Sequence, residues 1–265
     1  MKRPIIPYQP AWYPSPIKLP ARTVGKFSVR HRIVRGETPV VGTRQAFTRG
    51  IKPWMAKLNK PLRIHELRED ESLLMTDLPE ELNQIAEMLY DVNPHGRVCV
   101  GGLGLGLVAE SLATREGVDK DFLTVVELHT AVVKLCGTPH YRIVFSDILK
   151  YLRAHPTPFD YYLLDTWCGT SENTWWKTVL PLRRAIRQRW GRKPVIHCWG
   201  ENIMWGQVKR QLMRPEMPPH WYYQKPLCHM TPIQAELFLQ YAGLPDWEKQ
   251  YGAVLDRITN KETTA

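Results

Sequence analysis

The chain has 265 residues, 43% of them hydrophobic, and a formal net charge of +10, enough for one α/β domain with an extension and a substantial core. No apolar run approaches the ~20 residues that cross a bilayer, and Met1-Lys2-Arg3-Pro4 lacks the apolar stretch of a secretory leader, so the expectation is a soluble, cytoplasmic protein with no membrane partner. The five cysteines, Cys99, Cys136, Cys168, Cys198 and Cys228, are scattered without a Cys-x-x-Cys pair, which argues against a metal site or disulfide framework and leaves buried reduced thiols.

The charge is unevenly spread. Residues 1–63 hold 14 Lys and Arg against one acid, Glu37, whereas the rest of the chain holds 22 bases and 25 acids. Such a segment suits a polyanionic partner, nucleic acid or an acidic protein surface; the bland alternative is that it solvates an extended stretch.

Residues 1–20 carry six prolines among Tyr8, Trp12 and Tyr13. That density excludes helix and central strand and predicts an extended arm. Residues 21–78 read as a basic, β-rich subdomain. Val24, Phe27, Val29, Ile33 and Val34 sit among basic residues, and 62–67 and 72–75 flank the polar turn Arg68-Glu69-Asp70-Glu71 as in a hairpin. Pro79-Glu80-Glu81 then opens a helix to about Tyr90, with Leu82, Ile85, Ala86 and Leu89 on its apolar face.

From Arg97 the pattern alternates, and residues 79–265 are expected to form one doubly wound α/β domain of Rossmann-like type. Strands are predicted at 97–100, 122–126, 141–145, 159–164 and 194–198. Helices are predicted to about Arg115, from about Thr130 to Cys136, over 173–190 and near 201–213, with two further candidates beyond Trp221-Tyr222-Tyr223.

The first of these strands stops in Gly101-Gly102-Leu103-Gly104-Leu105-Gly106 before a helix restarts at Leu107. Glycines there can take positive φ and let the backbone, with its amide N–H groups, approach a ligand closely. Ligands of doubly wound sheets bind beyond the carboxyl ends of the strands, so the residues just past the strands converge: Gly101–Gly106, Glu127 with Leu128, Ser146-Asp147 and Asp165-Thr166-Trp167. An acid after the second strand can accept from both hydroxyls of a ribose, and one after the third from the amino group of an adenine, with Ile148 and Leu149 as an apolar edge to the base. Together they describe an adenosine pocket.

These motifs, Val-x-Val-Gly-Gly-x-Gly-x-Gly, Val-Val-Glu-Leu at 125–128, Ser-Asp at 146–147 and Phe-Asp-x-x-x-x-Asp at 159–165, resemble class I S-adenosylmethionine-dependent methyltransferases, nearest in order and spacing to the spermidine-synthase-like branch. The resemblance covers roughly residues 79–200 and implies a Rossmann-like methyltransferase sheet with S-adenosyl-L-methionine as cofactor. It implies that Gly101, Gly102, Gly104 and Gly106 pass the cofactor's amino-acid portion and that Glu127 and Leu128 hold the ribose side. By the same likeness Asp147 and Ile148 hold the adenine, and Asp165 faces the reaction centre as the candidate catalytic residue. The basic β-rich extension is similar to the N-terminal β-domain of aminopropyltransferases.

Aminopropyltransferases carry an acid inside the glycine loop and another shortly after the fourth strand. Here Leu103, Leu105 and Cys168 stand instead, removing groups that would bind a cationic amine and favouring methyl transfer. Many methyltransferases place an acid before the first glycine, where this chain has Val100. Neither an Asn-Pro-Pro-Tyr-like sequence nor a Pro-Cys dipeptide is present, so the acceptor stays open. Aminopropyl transfer and a non-catalytic scaffold remain as alternatives. Gly104-x-Gly106-x-x-Ala109 also fits a loose NAD fingerprint, in a register displaced along the loop. Val179, Leu182, Ile186 and Trp190 fall at helical spacing as core. Arg183, Arg184, Arg187, Arg189, Arg192 and Lys193 read as a solvated basic cluster completing the helix dipole, with a nucleic-acid groove as the alternative. His197, His229 and Trp175-Trp176 read as structural, Trp167 as a pocket wall.

Overall fold

Apolar residues spaced along the first third of the chain give it β-sheet faces to bury, and the strands follow from them. The computed structural model describes residues 6–7, 15–41, 54–167, 169–171, 174–191, 193–201 and 203–204. Within these, β1 (Ile6–Pro7), β2 (Arg22–Val24), β3 (Phe27–Val34), β4 (Glu37–Val41), β5 (Trp54–Lys57), β6 (Leu62–Glu69) and β7 (Ser72–Thr76) form two sheets, ordered β1-β5-β4 and β2-β3-β6-β7. Pro7 lies in the edge strand β1, where its missing N–H costs no ladder bond. Phe27, Val29, Ile64 and Leu67 are buried.

The hairpin turn is tighter than the sequence suggests. Arg68 and Glu69 belong to β6, and Asp70 turns the chain at φ 49°. Of the charges that read as a turn, Glu69 and Glu71 pair with bases on or beside β3, and Arg68 pairs along its own strand. Arg30 makes two bonds to Glu71 (3.1 and 2.9 Å), Glu66 accepts from Arg32 (2.5 Å) and Arg68 (2.9 Å), and Lys26 pairs with Glu69. Hydrogen bonds from Arg30 and Lys26 hold the Glu71 and Glu69 carboxyls below their ordinary range. Part of the positive excess counted along residues 1–63 is thus balanced by acids immediately after it in sequence.

Asp77, 3% exposed, ties the end of the arm to this sheet. Its carboxylate accepts from Ser15 Oγ (2.7 Å), His65 Nδ1 (2.7 Å) and the His65 amide (2.6 Å). His65 Nε2 then accepts from the Leu19 amide (3.4 Å), while His31 Nε2 donates to the Leu19 carbonyl (2.8 Å) and its Nδ1 accepts from Arg63. The donors around the rings assign opposite tautomers to the two histidines.

The parallel sheet follows. Its elements are α1 (Pro79–Met88), β8 (Val98–Gly101), α2 (Leu107–Ala113), β9 (Leu123–Glu127), α3 (Thr130–Cys136), β10 (Arg142–Phe145), α4 (Ile148–Ala154), β11 (Tyr161–Leu164), α5 (Leu180–Trp190) and β12 (Val195–Cys198). The order is β10-β9-β8-β11-β12, all parallel. It is the doubly wound arrangement expected, with the switch point between β8 and β11. β8 and β9 are buried throughout, as unbroken apolar runs at the centre of a parallel sheet should be. Right-handed crossovers place α2 and α3 on one face and α4, with the end of α5 from Ala185, on the other. The β2-β3-β6-β7 sheet packs on α3: Arg22 donates to the carbonyls of Lys134 and Leu135 (2.9 Å for the latter), and the Phe27 and His129 rings lie 4.9 Å apart.

The segment after Asp147 is the helix α4, with Asp147 as its N-cap, the structural alternative to a ligand role for that acid. The 173–190 helix opens with a π-helical turn at Trp175–Val179. Val179, Leu182 and Ile186 are buried as expected, and Trp190 stacks on Tyr162 at 5.6 Å. Arg183 corrects the reading of a solvated cluster. It shares the face of Val179 and Ile186, is 1% exposed and pairs with Glu201 at 3.0 Å, since a buried guanidinium requires a carboxylate. His197 pairs with Asp91 (3.0 Å), and Trp175, Cys99, Cys136 and Cys198 are buried. Cys168, Cys228, Arg192, His229, Trp221-Tyr222-Tyr223 and the end of the helix expected near 201–213 lie outside the described residues. The chain divides into two units, 1–168 with 185–199 and 169–184 with 200–265; the three sheets belong to the first and the Arg183–Glu201 pair to the second. No described helix is long and apolar enough to cross a membrane.

Two outcomes are expected. Asp77→Ala strands three donors in a buried place and lowers stability by about 2–4 kcal/mol in urea denaturation, whereas Glu71→Ala leaves the midpoint within error. Burial pushes the Cys99 thiol well above its ordinary range and that of Cys136 to about 12. The unfolded chain therefore loses those protons first as pH rises, so stability is flat from pH 7 to about 8.5 and falls above it, by up to about 1.4 kcal/mol per pH unit for each thiol. A melting temperature unchanged to pH 10.5 (roughly two units above an ordinary thiol) would contradict this burial.

Candidate active site at the carboxyl ends of the parallel strands

Four of the five strands of the parallel sheet hand the chain to a turn that stays bonded to the neighbouring strand. Ser146 N–H donates to Glu127 O (3.0 Å), Gly102 N–H to Val126 O (2.9 Å), Asp165 N–H to Gly101 O (2.8 Å) and Trp199 N–H to Leu164 O (2.9 Å). The turns expected to converge therefore stand in one row. Gly102, Gly104 and Gly106 all have positive φ, at 87°, 54° and 84°. At Gly102 a Cβ would lie 2.2 Å from the Asp165 carbonyl oxygen, so the switch-point turns touch backbone to backbone. At Gly104 a Cβ would meet Met75 Sδ at 2.7 Å.

Glu127 is 7% exposed. Its Oε2 accepts from the Leu103 amide (2.9 Å) and its Oε1 from the His129 amide (2.7 Å). A carboxylate has about four lone-pair sites, so one on each oxygen remains after the turns are pinned. The loop amides do not point outward as the sequence suggested. Gly102 N–H bonds Val126 O, Leu103 N–H bonds Glu127, Leu105 N–H bonds Met75 Sδ (3.3 Å) and Gly106 N–H bonds Leu103 O (2.8 Å). A pyrophosphate needs several such donors, which counts against the NAD reading. Leu103 and Leu105 are 4% and 0% exposed, spent on the core.

Asp147 sits at the end of β10, exposed, and its Oδ1 accepts from the Lys150 amide (2.8 Å) as the N-cap of α4. Ile148 is buried against Gly101, where a Cβ would meet its Cγ1 at 3.2 Å, while Leu128 is exposed. Asp165 is half-buried beside Gly102, with Trp167 two residues on. The structure thus joins the turns of Gly101-Gly102, Glu127 and Asp165 through backbone contacts, and links Asp147 to them through its neighbours Ser146 and Ile148.

Three residues escaped the sequence reading. Phe145 is exposed and in register with Glu127. Met75 and Trp199 line a cleft of ≈ 200 Å³ with Leu73, Leu74, Leu78 and Glu81. Glu81 accepts there from the Thr76 hydroxyl (2.9 Å) and amide (3.2 Å). Met75 reaches the glycine loop from β7, a contact no linear spacing announces. The exposed phenylalanine one residue before Ser146-Asp147 was the one legible signal.

No protein-family model matches the sequence, and no curated protein matches it. Solved structures give distant likenesses of fold. The spermidine synthase of Thermotoga maritima is 13% identical over 73% of this chain and 71% of its own, with a TM-score of 0.38. A spermidine synthase in complex with the transition-state analogue AdoDATO is 12% identical over 73% and 74%, with a TM-score of 0.39. The assigned methyltransferase yhhF of Escherichia coli is 13% identical, with a TM-score of 0.31, and the match spans 43% of this chain and 62% of that one.

The glycine positions separate strain from collision. Gly36, at φ 79° with nothing near its missing Cβ, should lose about 1–2 kcal/mol on change to alanine, the left-handed penalty alone. Gly102→Ala adds the clash with Asp165 and should cost at least about 3 kcal/mol, compared by chemical denaturation. Equal losses would mean that the two turns are not in contact.

Proposed function

We propose that the protein is an S-adenosylmethionine-dependent methyltransferase whose acceptor is a nucleic acid or other polyanion. The observation that carries this is Glu127, a buried carboxylate at the end of the second parallel strand with one lone pair left on each oxygen. It is held by two backbone amides, and each oxygen can accept from one hydroxyl of a vicinal diol. A loop whose amides are engaged suits a nucleoside without phosphates. The residues present therefore fit an adenosyl ligand: Glu127 with Leu128 for the ribose, Asp147 with Ile148 for the adenine, and Gly101, Gly102, Gly104 and Gly106 beside the amino-acid portion.

When bound, the cofactor supplies a methyl group on a sulfonium, which leaves by direct displacement. The chain's part is alignment and, where the acceptor needs it, removal of a proton. Asp165 serves both. Its backbone is locked by Gly101 O and the Gly102 contact, so its carboxylate projects from a fixed point beside the loop.

One observation favours a second reading, a non-catalytic scaffold: Met75 lies on Gly104 and Leu105, along the path of the cofactor's amino-acid portion. Calorimetry separates the two. The wild type should bind S-adenosylmethionine, and Glu127→Gln should weaken it about 10- to 100-fold, the loss of one or two charge-assisted bonds. Met75→Ala should bind at least as tightly as the wild type. No heat from the wild type together with binding by Met75→Ala would establish the scaffold reading, with Met75 as the plug; no heat from either would sink the adenosyl site altogether.

A further inference from the structure

The sequence points to the N-terminal third as the cationic surface, but among the described residues a second cationic face lies beside the parallel sheet. In the β2-β3-β6-β7 sheet, Lys26, Arg30, Arg32 and Arg68 are paired with Glu66, Glu69 and Glu71. Residues 142–155 and 185–195, which include α4 and the end of α5, carry seven lysines and arginines against a single acid, Asp147. Helix α4 and that end of α5 lie on the face of the parallel sheet away from α2 and α3.

The bases of that face are gathered. Arg142, Lys150, Arg153, Arg189 and Lys193 are all exposed. Lys150 and Arg153, one turn apart on α4, line an open cleft of ≈ 360 Å³ with Asp147, Leu149 and Ala154. Arg189 reaches across from α5 and donates to the Arg153 carbonyl, which brings two guanidinium-bearing chains to one spot. At the amino ends of the strands, Arg97 bonds Pro158 O (3.0 Å) and lies 5.1 Å over the Phe159 ring, beside His155 and Tyr151. The Asp160 carboxylate there accepts from the Arg97 amide (2.8 Å).

We propose that the α4–α5 face is a nucleic-acid docking surface, in which Lys150, Arg153 and Arg189 contact backbone phosphates. Charges spaced along a helix and across to its neighbour suit a polyanion with regularly repeating charge. The exposed large apolar side chains of the described residues (Ile33, Leu73, Tyr90, Phe122, Leu128, Phe145 and Val195) include none on α4 or α5; Phe145 and Val195 stand singly on the strands β10 and β12, so the two helices present no apolar face to a membrane. Asp147, at the upper end of α4, connects the surface to the candidate active site; a strand held along α4 would run toward the row of carboxylates. The partner class is shared with the proposed acceptor, but docking requires no cofactor and is measured without it.

The test uses the full chain and a fluorescent 30-nucleotide single-stranded RNA, with anisotropy read over a salt series. The triple charge reversal K150E/R153E/R189E should weaken binding at least about 30-fold near 0.1 M salt and lower the salt slope by about 2, as removal of three phosphate contacts on a single strand requires. The double reversal R35E/K60E, on exposed bases of the N-terminal sheets, should change affinity less than about 3-fold (the loss of at most one weak contact). Circular dichroism melting verifies that each variant is folded, and should the triple variant not fold, K150E/R153E on α4 alone supplies the same comparison. Unchanged binding by a folded α4 variant, or a larger loss in R35E/K60E, overturns the proposal. So does wild type that ignores RNA and binds vesicles of anionic phospholipid. Loss of RNA binding in the α4 variant with S-adenosylmethionine affinity intact supports the surface independently of the enzymatic reading.

Discussion

The carboxylate of Glu127 accepts the amide of Leu103 on one oxygen and that of His129 on the other, and this one side chain locks the turn after β8 to the turn after β9. Each bond to a charged acceptor contributes roughly 1.5–3 kcal/mol in a site shielded from water. Desolvation opposes that gain, so the carboxylate is stable here only because donors meet both oxygens. With Leu103 fixed, Gly102 is pressed to the Asp165 carbonyl, and the carboxylates at the ends of β9 and β11 acquire a defined separation. Such a site is preorganised by the ladder of the sheet.

The N-terminal sheets bear on the same point. His129, whose amide holds Glu127, has its ring against Phe27 of β3, and Met75 of β7 accepts from Leu105 in the glycine loop. The extension therefore reaches the loop from two sides, once behind Glu127 and once over Gly104. The latch built by Asp77, His65 and His31 holds the chain from Ser15 to Leu19 on this sheet. Removing the extension would strip contacts from the site as well as charge from the surface.

What was legible in the sequence follows the physics of burial. β8 and β9 are enclosed on both faces, so they appear as unbroken apolar runs ending in Gly101 and Glu127, and the residues beyond them were found where expected. The hairpin boundary was misplaced because Arg68 and Glu69, although polar, sit in a strand whose pairs satisfy them. Arg183 was read as solvated because its partner, Glu201, lies beyond another strand and a turn. Helix α4 starts at an acid whose chemistry serves a helix N-cap and a ligand contact alike, so the sequence leaves the two roles of Asp147 undivided. Met75 and Trp199 carry no local signal; they reach the candidate site region only when β7 and β12 are placed.

Engaged amides change what the glycine loop can recognise. In a phosphate-binding turn the backbone N–H groups are the receptor and side chains are secondary. Here Gly102, Leu103, Leu105 and Gly106 spend theirs on Val126, Glu127, Met75 and Leu103, which leaves those four unavailable to a phosphate. Acceptors such as Glu127 and Asp147 select hydroxyl and amino groups and repel phosphate. A ligand with a diol, an exocyclic amine and no phosphate chain meets that surface well, whereas a dinucleotide would bring charge to carboxylates and find few amides to receive it. The alternation Gly-Leu-Gly-Leu-Gly follows from the same division: the leucines bury, the glycines turn, and the loop becomes a wall that positions acids.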